Sequence, residues 1–179
     1  MSKIAFIGIG RMGWHMAAHL AKGGHDVVVC DVVPGMADKW VAENGGAAVA
    51  SPADAVRGRE YVITSLPADR ELFAVADGII AELAKGTVWI DHSTTSAEGS
   101  RVVAARVADV GSSFLDAPVS GGVDGARNRT LTVMAGGEET GGSISSFNSD
   151  GYSLQASGNG NASSVDYTSY SFKDQDHFF

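Results

Sequence analysis

Three glycines near the amino terminus have a spacing that suits the binding of a phosphate group. Gly8, Gly10 and Gly13 follow the apolar run from Lys3 to Ile7 in the order Gly-x-Gly-x-x-Gly. The first glycine permits a tight turn, the second leaves room for a pyrophosphate, and the third lets a helix pack closely on the strand. Unpaired N–H groups at the start of that helix would face the anion. The stretch therefore predicts a strand, a phosphate-binding turn and a helix.

A carboxylate follows at the distance that a dinucleotide site requires. The run from Asp26 to Asp31 predicts a second strand that ends in this carboxylate, 23 residues after Gly8. In a dinucleotide site, such a group accepts hydrogen bonds from the hydroxyls of the adenosine ribose. The next residues, Val32 to Pro34, include no cation for a 2′-phosphate. The predicted cofactor is therefore NAD and not NADP; the alternative is that Asp31 is only a solvated residue at a strand end.

A second cluster of small residues lies near position 120. After Asp116 the chain continues as Ala-Pro-Val-Ser-Gly-Gly. Pro118 stiffens the approach, and Ser120, Gly121 and Gly122 expose a hydroxyl and backbone N–H groups in one place. This arrangement suits the capture of a small carboxylate.

The remaining chemical candidates have less specific patterns. His15 and His19 have i, i+4 spacing, but no acidic residue lies between them as in a His-Glu-x-x-His helix, so we expect no metal site. Asp91 and Asp116 end predicted strands, where a carboxylate can be catalytic or can brace a loop. Near the carboxylate-binding cluster, His92 is the one candidate expected to titrate near pH 7.

Strands and helices alternate along the first 139 residues. Beyond the first two strands, the patterns predict strands at 47–50, 61–67, 87–91 and 113–116, and helices at 14–22, 35–43, from Ser51, at 70–84 with an interruption at Gly78, and at about 96–110. This order predicts an α/β fold with a doubly wound, mostly parallel sheet of the Rossmann type. In such a sheet, ligands bind beyond the carboxyl ends of the strands, so Leu66 and Pro67 are expected over the cofactor.

Composition excludes several classes of function. The 179 residues suit one domain or slightly more, and 44% of them are hydrophobic. The net charge of −8, with 13 Lys and Arg residues, argues against binding to nucleic acid or to anionic membranes. We expect no leader segment and no membrane span. The single cysteine, Cys30, allows no disulfide framework, which suits a cytoplasmic protein.

Together these motifs resemble the β-hydroxyacid dehydrogenase family, most closely its 3-hydroxyisobutyrate dehydrogenase branch. The resemblance covers about Lys3 to Gly137 and rests on Phe6 to Gly13, Ser65-Leu66-Pro67, Asp91-His92-Ser93-Thr94 and Asp116 to Gly122. It implies an NAD-dependent oxidoreductase that passes a hydride between the nicotinamide and the hydroxyl-bearing carbon of a small 3-hydroxy acid. The residues implied to contact NAD are Gly8, Gly10, Met12, Gly13, Asp31, Leu66, Pro67 and Thr94. Those implied to hold the substrate carboxylate are Ser120, Gly121 and Gly122.

Two other functions stay open, and the sequence departs from the family in two places. A non-catalytic NAD-binding module or truncated fragment would keep the fold, and a 6-phosphogluconate dehydrogenase-like enzyme shares the layout. Arg129 stands where the family usually has glycine, and we expect it to distort that turn. The family's catalytic lysine lies in a Lys-x-x-Asn-Asn pattern, which Lys173 does not match. The resemblance therefore assigns no catalytic residue, and we expect turnover by this chain alone to be near background.

The composition changes near residue 140. Ser, Gly and Asn make up 18 of the 40 residues from 140 to 179, with no apolar helical period. We therefore predict an NAD-binding domain at 1–139 and, at 140–179, a tail in place of the family's helical domain. Its apolar pattern is too sparse to offset the entropy of ordering, so we expect an irregular or disordered tail, or short strands at an exposed sheet edge. A shifted reading frame, a truncation or an engineered replacement would explain the change, and uncovered apolar faces leave a homo-oligomer open.

Overall fold

The structure is a computed structural model that describes residues 1–134 and the backbone of residues 142–148 and 151–156. Its central sheet contains β1 (Lys3–Ile7), β2 (Asp26–Cys30), β3 (Ala47–Ala48), β4 (Tyr61–Thr64), β5 (Val88–Asp91) and β6 (Ser113–Asp116). All five strand pairings are parallel, in the order β3-β2-β1-β4-β5-β6. Because the order reverses between β1 and β4, the sheet is doubly wound and its ligand crevice lies where these strands end. The prediction of a Rossmann-type fold is confirmed.

Six helices connect the strands of the described residues: α1 (Gly13–Lys22), α2 (Met36–Asn44), α3 (Pro52–Val56), α4 (Asp69–Ile79), α5 (Ala97–Asp109) and α6 (Gly122–Asn128). The hydroxyls of Ser51 and Ser96 cap α3 and α5 by accepting N–H bonds from the first turn. Gly78 was predicted to interrupt the fourth helix, and that prediction is wrong. It lies inside α4, which continues into a short 3-10 turn at Ile80–Glu82.

The core consists of two apolar layers, one on each face of the sheet. Alternate residues of β1 point to opposite layers, with Ile4 and Phe6 in one and Ala5 and Ile7 in the other. The first layer contains side chains of α1, α2 and α6, and the second contains side chains of α3, α4 and α5. The strands that carry the candidate site are thus packed against helices on both faces of the sheet.

Two small antiparallel pairs accompany the main sheet. Val119–Ser120 (β7) pairs with Thr132–Val133 (β8), and α6 lies between them in the chain. Gly142–Asn148 (β9) pairs with Gly151–Ala156 (β10), and this pair is separate from the six-stranded sheet. These strands are the described part of the predicted tail. The rest of that tail, with Lys173, lies outside the described residues, so its predicted irregular state stays a prediction. Within the residues that the structure describes, no helix has the length and apolar character needed to cross a membrane.

Candidate dinucleotide-binding site

Two of the three motif glycines are required by the protein's own packing. Gly8 follows β1 with a φ of 89°, and its N–H donates to the carbonyl of Cys30 at 2.9 Å. A Cβ atom on Gly8 would lie 2.5 Å from the carbonyl oxygen of Ser65. A Cβ atom on Gly13 would lie 2.1 Å from the carbonyl oxygen of Gly8. Any side chain at either position would therefore push β1, β4 and α1 apart.

Gly10 differs from its neighbours because none of the described residues fills the space beside it. A Cβ atom at this exposed residue would meet no atom within 4 Å. The N–H groups of Arg11, Met12 and Gly13 donate to no acceptor in the described part of the chain, whereas Trp14 donates to the Gly10 carbonyl at 3.0 Å. The start of α1 thus combines open space with free donors at the positive end of the helix. This combination fits an anionic group such as a pyrophosphate.

Asp31 is half-buried directly after β2, and its carboxylate is bonded to the glycine turn. Its Oδ2 atom accepts the N–H of Ile9 at 2.9 Å, and its Oδ1 atom accepts the N–H of Val33 at 2.8 Å. The contact with Ile9 spans 22 residues of sequence, and the motif alone did not reveal it. Each carboxylate oxygen retains a second lone pair, so Asp31 can hold the turn and still accept a ribose hydroxyl.

The loops after β4 and β5 carry the other predicted cofactor contacts and are bonded to each other. The N–H of Leu66 donates to the Ser93 hydroxyl oxygen at 2.8 Å. Ser93 is buried, while its neighbour Thr94 is exposed, as is Pro67 beside Leu66. The structure therefore brings Leu66, Pro67 and Thr94 to one edge of the sheet on a shared hydrogen-bonded support.

A second link between these loops lies at the helix starts. The N–H of Ser96 donates to Oδ1 of Asp69 at 2.8 Å, and the Ser96 hydroxyl donates to Oδ2 of the same carboxylate. The hydrogen bonds from Ser96 lower the pKa of Asp69. The start of α4 is thus fastened to the start of α5, and the two loops are held at both ends. The sequence patterns did not predict this link, because Asp69 and Ser96 are 27 residues apart.

The predicted carboxylate-binding residues form the exposed connection between β7 and α6. Ser120 ends β7, Gly121 has a φ of 133°, and Gly122 has a φ of 62° at the first position of α6. A Cβ atom on Gly121 would lie 3.2 Å from the side chain of Leu131, whereas one on Gly122 would meet nothing within 4 Å. The segment is joined to the β5 end of the sheet, because the Ala117 N–H donates to the carbonyl of Asp91 at 2.8 Å.

His19 fastens α6, the helix after this connection, to α1, the helix after the glycine turn. Its Nε2–H group donates to the carbonyl of Ala126 at 2.9 Å, and the Nε–H group of Arg129 donates to its Nδ1 atom at 3.3 Å. Burial lowers the pKa of His19, in accord with a neutral ring that donates on one side and accepts on the other. Arg129 has a φ of 60°, the left-handed conformation that a glycine adopts easily. The described residues contain no group of three His, Cys, Asp or Glu side chains that could hold a metal ion.

The expectation that His92 titrates near pH 7 is wrong. The ring is buried, and its Nδ1–H group donates to the carbonyl of Ala117 at 2.7 Å. Burial lowers the pKa of His92 to about 4, so the ring is neutral at pH 7. So low a pKa makes His92 a weak proton acceptor at pH 7.

Comparisons with known proteins agree with this geometry. A family model described as the NAD binding domain of 6-phosphogluconate dehydrogenase matches residues 3–144. The chain is 44% identical over 142 residues to an uncharacterized oxidoreductase of Shewanella frigidimarina, and 43% identical over 141 residues to the NAD-dependent L-serine dehydrogenase of Pseudomonas aeruginosa.

These alignments cover 78% and 77% of this chain but 49% and 47% of the two relatives. The chain therefore spans about half the length of the curated relatives it matches. Among solved structures, it is similar to the 3-hydroxyisobutyrate dehydrogenase of Mycobacterium tuberculosis with L-serine, with a TM-score of 0.73 and 40% identity over 78% of this chain and 47% of that chain.

Proposed function

We infer that this chain, which belongs to the family of the NAD-binding domain of 6-phosphogluconate dehydrogenase, forms the NAD-binding part of an oxidoreductase of the 3-hydroxyisobutyrate dehydrogenase type. The observation that carries this proposal is the start of α1, where open space beside Gly10 adjoins three backbone N–H groups that have no acceptor among the described residues. When bound, NAD accepts or delivers the hydride. The protein's part is to bind and orient the dinucleotide.

The proposed contacts with NAD follow the carboxyl ends of four neighbouring strands. The N–H groups at the α1 start hold the pyrophosphate, and Asp31 accepts the hydroxyls of the adenosine ribose. The loops after β4 and β5 form the wall of the site on the other side of β1. The full proposed set is Gly8, Gly10, Met12, Gly13, Asp31, Leu66, Pro67 and Thr94.

The proposed substrate is a small 3-hydroxy acid. Two similar proteins are named as dehydrogenases of L-serine and of 3-hydroxyisobutyrate. Each of these two compounds has a carboxylate at one end and a hydroxyl group on its third carbon. Ser120, Gly121 and Gly122 are the proposed carboxylate contacts, because they expose a hydroxyl and backbone N–H groups beyond the sheet. These relatives favour a 3-hydroxy acid over 6-phosphogluconate, whose dehydrogenase appears in the family description. We assign no general base in residues 1–134, which keeps a non-catalytic NAD-binding module as the second candidate.

We also propose a cytoplasmic location and a homo-oligomeric state for the protein. Cys30 is a free, buried thiol, in accord with the proposed cytoplasmic location. A homo-oligomer is proposed because exposed apolar side chains occur at the surface, with Val32 at 93% and Met134 at 53% exposure. Light scattering over a range of concentrations tests this state, and a monomer at the highest concentration would exclude it.

Calorimetry and a turnover assay test the main proposal. We expect NAD to bind more tightly than NADP, and 3-hydroxyisobutyrate or L-serine to bind to the NAD-saturated chain more tightly than 6-phosphogluconate. Ser120→Ala should weaken 3-hydroxy acid binding, whereas Thr130→Ala, which removes a nearby exposed hydroxyl, should not. Absence of NAD binding would refute the proposal. Binding of NAD without any binding of 3-hydroxy acids would leave the non-catalytic module.

A further inference from the structure

Asp91 is a fully buried carboxyl group at the end of β5, and one of its oxygens collects three hydrogen bonds. Its Oδ1 atom accepts the Thr64 hydroxyl at 2.6 Å, the Ser93 hydroxyl, and the Ser93 N–H at 3.2 Å. The Thr64 hydroxyl oxygen in turn accepts the indole N–H of Trp89 at 2.9 Å. A single oxygen atom thus joins β4, β5 and the loop that follows β5.

This network extends directly to the loops of the candidate site. Because the Ser93 hydroxyl donates its hydrogen to Asp91, its oxygen is left to accept the N–H of Leu66. Leu66 precedes Pro67, and Ser93 precedes Thr94. Asp91 therefore fixes the backbone that presents the proposed NAD contacts, although it is buried beneath them.

The other carboxyl oxygen of Asp91 has a different environment. Its Oδ2 atom is buried and has no hydrogen-bond partner within the described stretches of the chain. Asp116 is its register partner on β6, and paired residues of adjacent parallel strands lie about 5 Å apart. An ionised Asp91 would place negative charge on an oxygen without a donor, beside a second carboxyl group. Both conditions disfavour the ionised form.

The charged groups on the neighbouring elements do not offset this. The negative charge of Asp69 on α4 repels a negative charge on Asp91. The charged residues at the start of α5, Glu98 and Arg101, are exposed. His92, next in the chain, is buried and neutral at pH 7. Burial raises the pKa of Asp91 in spite of the hydrogen bonds to Oδ1. Burial also raises the pKa of Asp116.

We propose that Asp91 is a positioning residue of the dinucleotide site that works as a neutral carboxylic acid, with the proton on Oδ2 and the three donors on Oδ1. The positioning role rests on the proposed function, since the loops matter for binding only if NAD occupies this site. A neutral acid keeps all three hydrogen bonds because they go to its carbonyl oxygen. The proton also removes the negative charge from Oδ2, the oxygen that receives no hydrogen bond from the described residues.

Four variants of the full chain test the proposal. Two are the asparagine variants Asp91→Asn and Asp116→Asn. The other two, Asp91→Leu and Ser93→Ala, remove hydrogen-bonding groups and are called the truncating variants. Asp91→Asn keeps the Oδ1 acceptor and places an NH₂ donor at Oδ2, so it mimics the neutral acid. Asp91→Leu removes both, and Ser93→Ala removes the link to Leu66 while it keeps Asp91. The measurements are the NAD dissociation constant by calorimetry and the infrared band of a protonated carboxyl group at about pH 6, above the ordinary pKa of aspartate.

We expect Asp91→Asn to bind NAD within about threefold of the wild-type value, and Asp91→Leu and Ser93→Ala to bind about 10-fold more weakly, because buried donors or acceptors lose their partners. The infrared band should be present in the wild type, absent in Asp91→Asn and retained in Asp116→Asn. If Asp91→Leu does not fold, Ser93→Ala decides the positioning role.

Three results would overturn the proposal: no protonated carboxyl band, a band that disappears in Asp116→Asn instead of Asp91→Asn, or an Asp91→Asn protein that binds NAD as weakly as the truncating variants. If the wild type binds no NAD, the positioning role falls together with the proposed function. The infrared band then still decides whether Asp91 is neutral, so the two failures are distinguishable.

Discussion

Replacing Gly10 with alanine should separate ligand binding from folding. A Cβ atom at this position meets no atom of the described residues within 4 Å, and the φ of Gly10 lies outside the left-handed region. Alanine therefore fits the protein without strain. By restricting the unfolded chain, it should raise the free energy of unfolding by about 0.4–1 kcal/mol.

The same methyl group should obstruct a pyrophosphate at the start of α1. A phosphate oxygen must come within about 2.9 Å of a backbone nitrogen to accept its N–H, and the methyl group would fill that approach beside Gly10. The loss of one hydrogen bond to a charged group costs about 1.5–3 kcal/mol. We therefore expect the NAD dissociation constant of Gly10→Ala to rise roughly 10- to 100-fold. Calorimetry and urea unfolding on the same sample measure both quantities.

Two other glycines serve as controls for this substitution. Gly78 lies in α4 and also has open space around its missing Cβ atom, so Gly78→Ala should stabilise the helix by about 1 kcal/mol and leave NAD affinity unchanged. Gly13→Ala places a Cβ atom 2.1 Å from the Gly8 carbonyl oxygen and should destabilise the fold by about 1–3 kcal/mol. Wild-type NAD affinity in Gly10→Ala, or a loss of stability like that of Gly13→Ala, would refute the reasoning.

Three further predictions concern specificity, strain and pH. Asp31→Asn combined with Val32→Arg should reverse the preference of the chain from NAD to NADP, because a 2′-phosphate would meet a cation in place of a carboxylate; equal calorimetric affinities in the unmodified chain would contradict this. Arg129→Gly should remove the cost of a left-handed φ, about 1–2 kcal/mol, but also lose the hydrogen bond from Arg129 to His19, about 0.5–1.5 kcal/mol. The free energy of unfolding in urea should therefore rise by at most about 1 kcal/mol. Folding lowers the pKa of His92 to about 4 from an unfolded value of about 6.5. The neutral buried ring therefore contributes about 3 kcal/mol to the free energy of unfolding above pH 6.5, and this contribution is lost as the pH falls toward 4. His92→Asn should flatten this dependence, and an unchanged slope in that variant would assign it to other groups.

The strands and long helices could be predicted from the sequence because local patterns determine them. The buried strands of a parallel sheet are continuous apolar runs, and Ser51 and Ser96 mark helix starts by a mechanism that operates within one turn. The helix α6 was not predicted. Its seven residues include Gly122 and Gly125, which are poor helix formers, and the helix depends on distant contacts such as the bond from His19.

The candidate site shows the same division between local and distant causes. The roles of Gly8 and Gly13 could be predicted because a turn between a strand and a helix brings these two residues together. The bond from Ile9 to Asp31 could not be found in this way, since it joins the turn after β1 to the segment after β2, 22 residues away in the sequence. His92 was misjudged for a related reason: its ring is buried, which lowers its pKa, and it is bonded to Ala117, a residue 25 positions away that follows β6.

The exposed and buried parts of the site should respond differently to mutation. Pro67 and Thr94 are exposed and contribute little to the core, so their replacement should change ligand binding with little change in stability. Asp91 is buried and supports the same loops through hydrogen bonds, so its truncation should change both. Asp31 has both characters, because its carboxylate holds the turn at Ile9 and also faces the proposed ribose position. A variant that loses binding at wild-type stability therefore identifies a contact residue, whereas a parallel loss of binding and stability identifies a supporting residue.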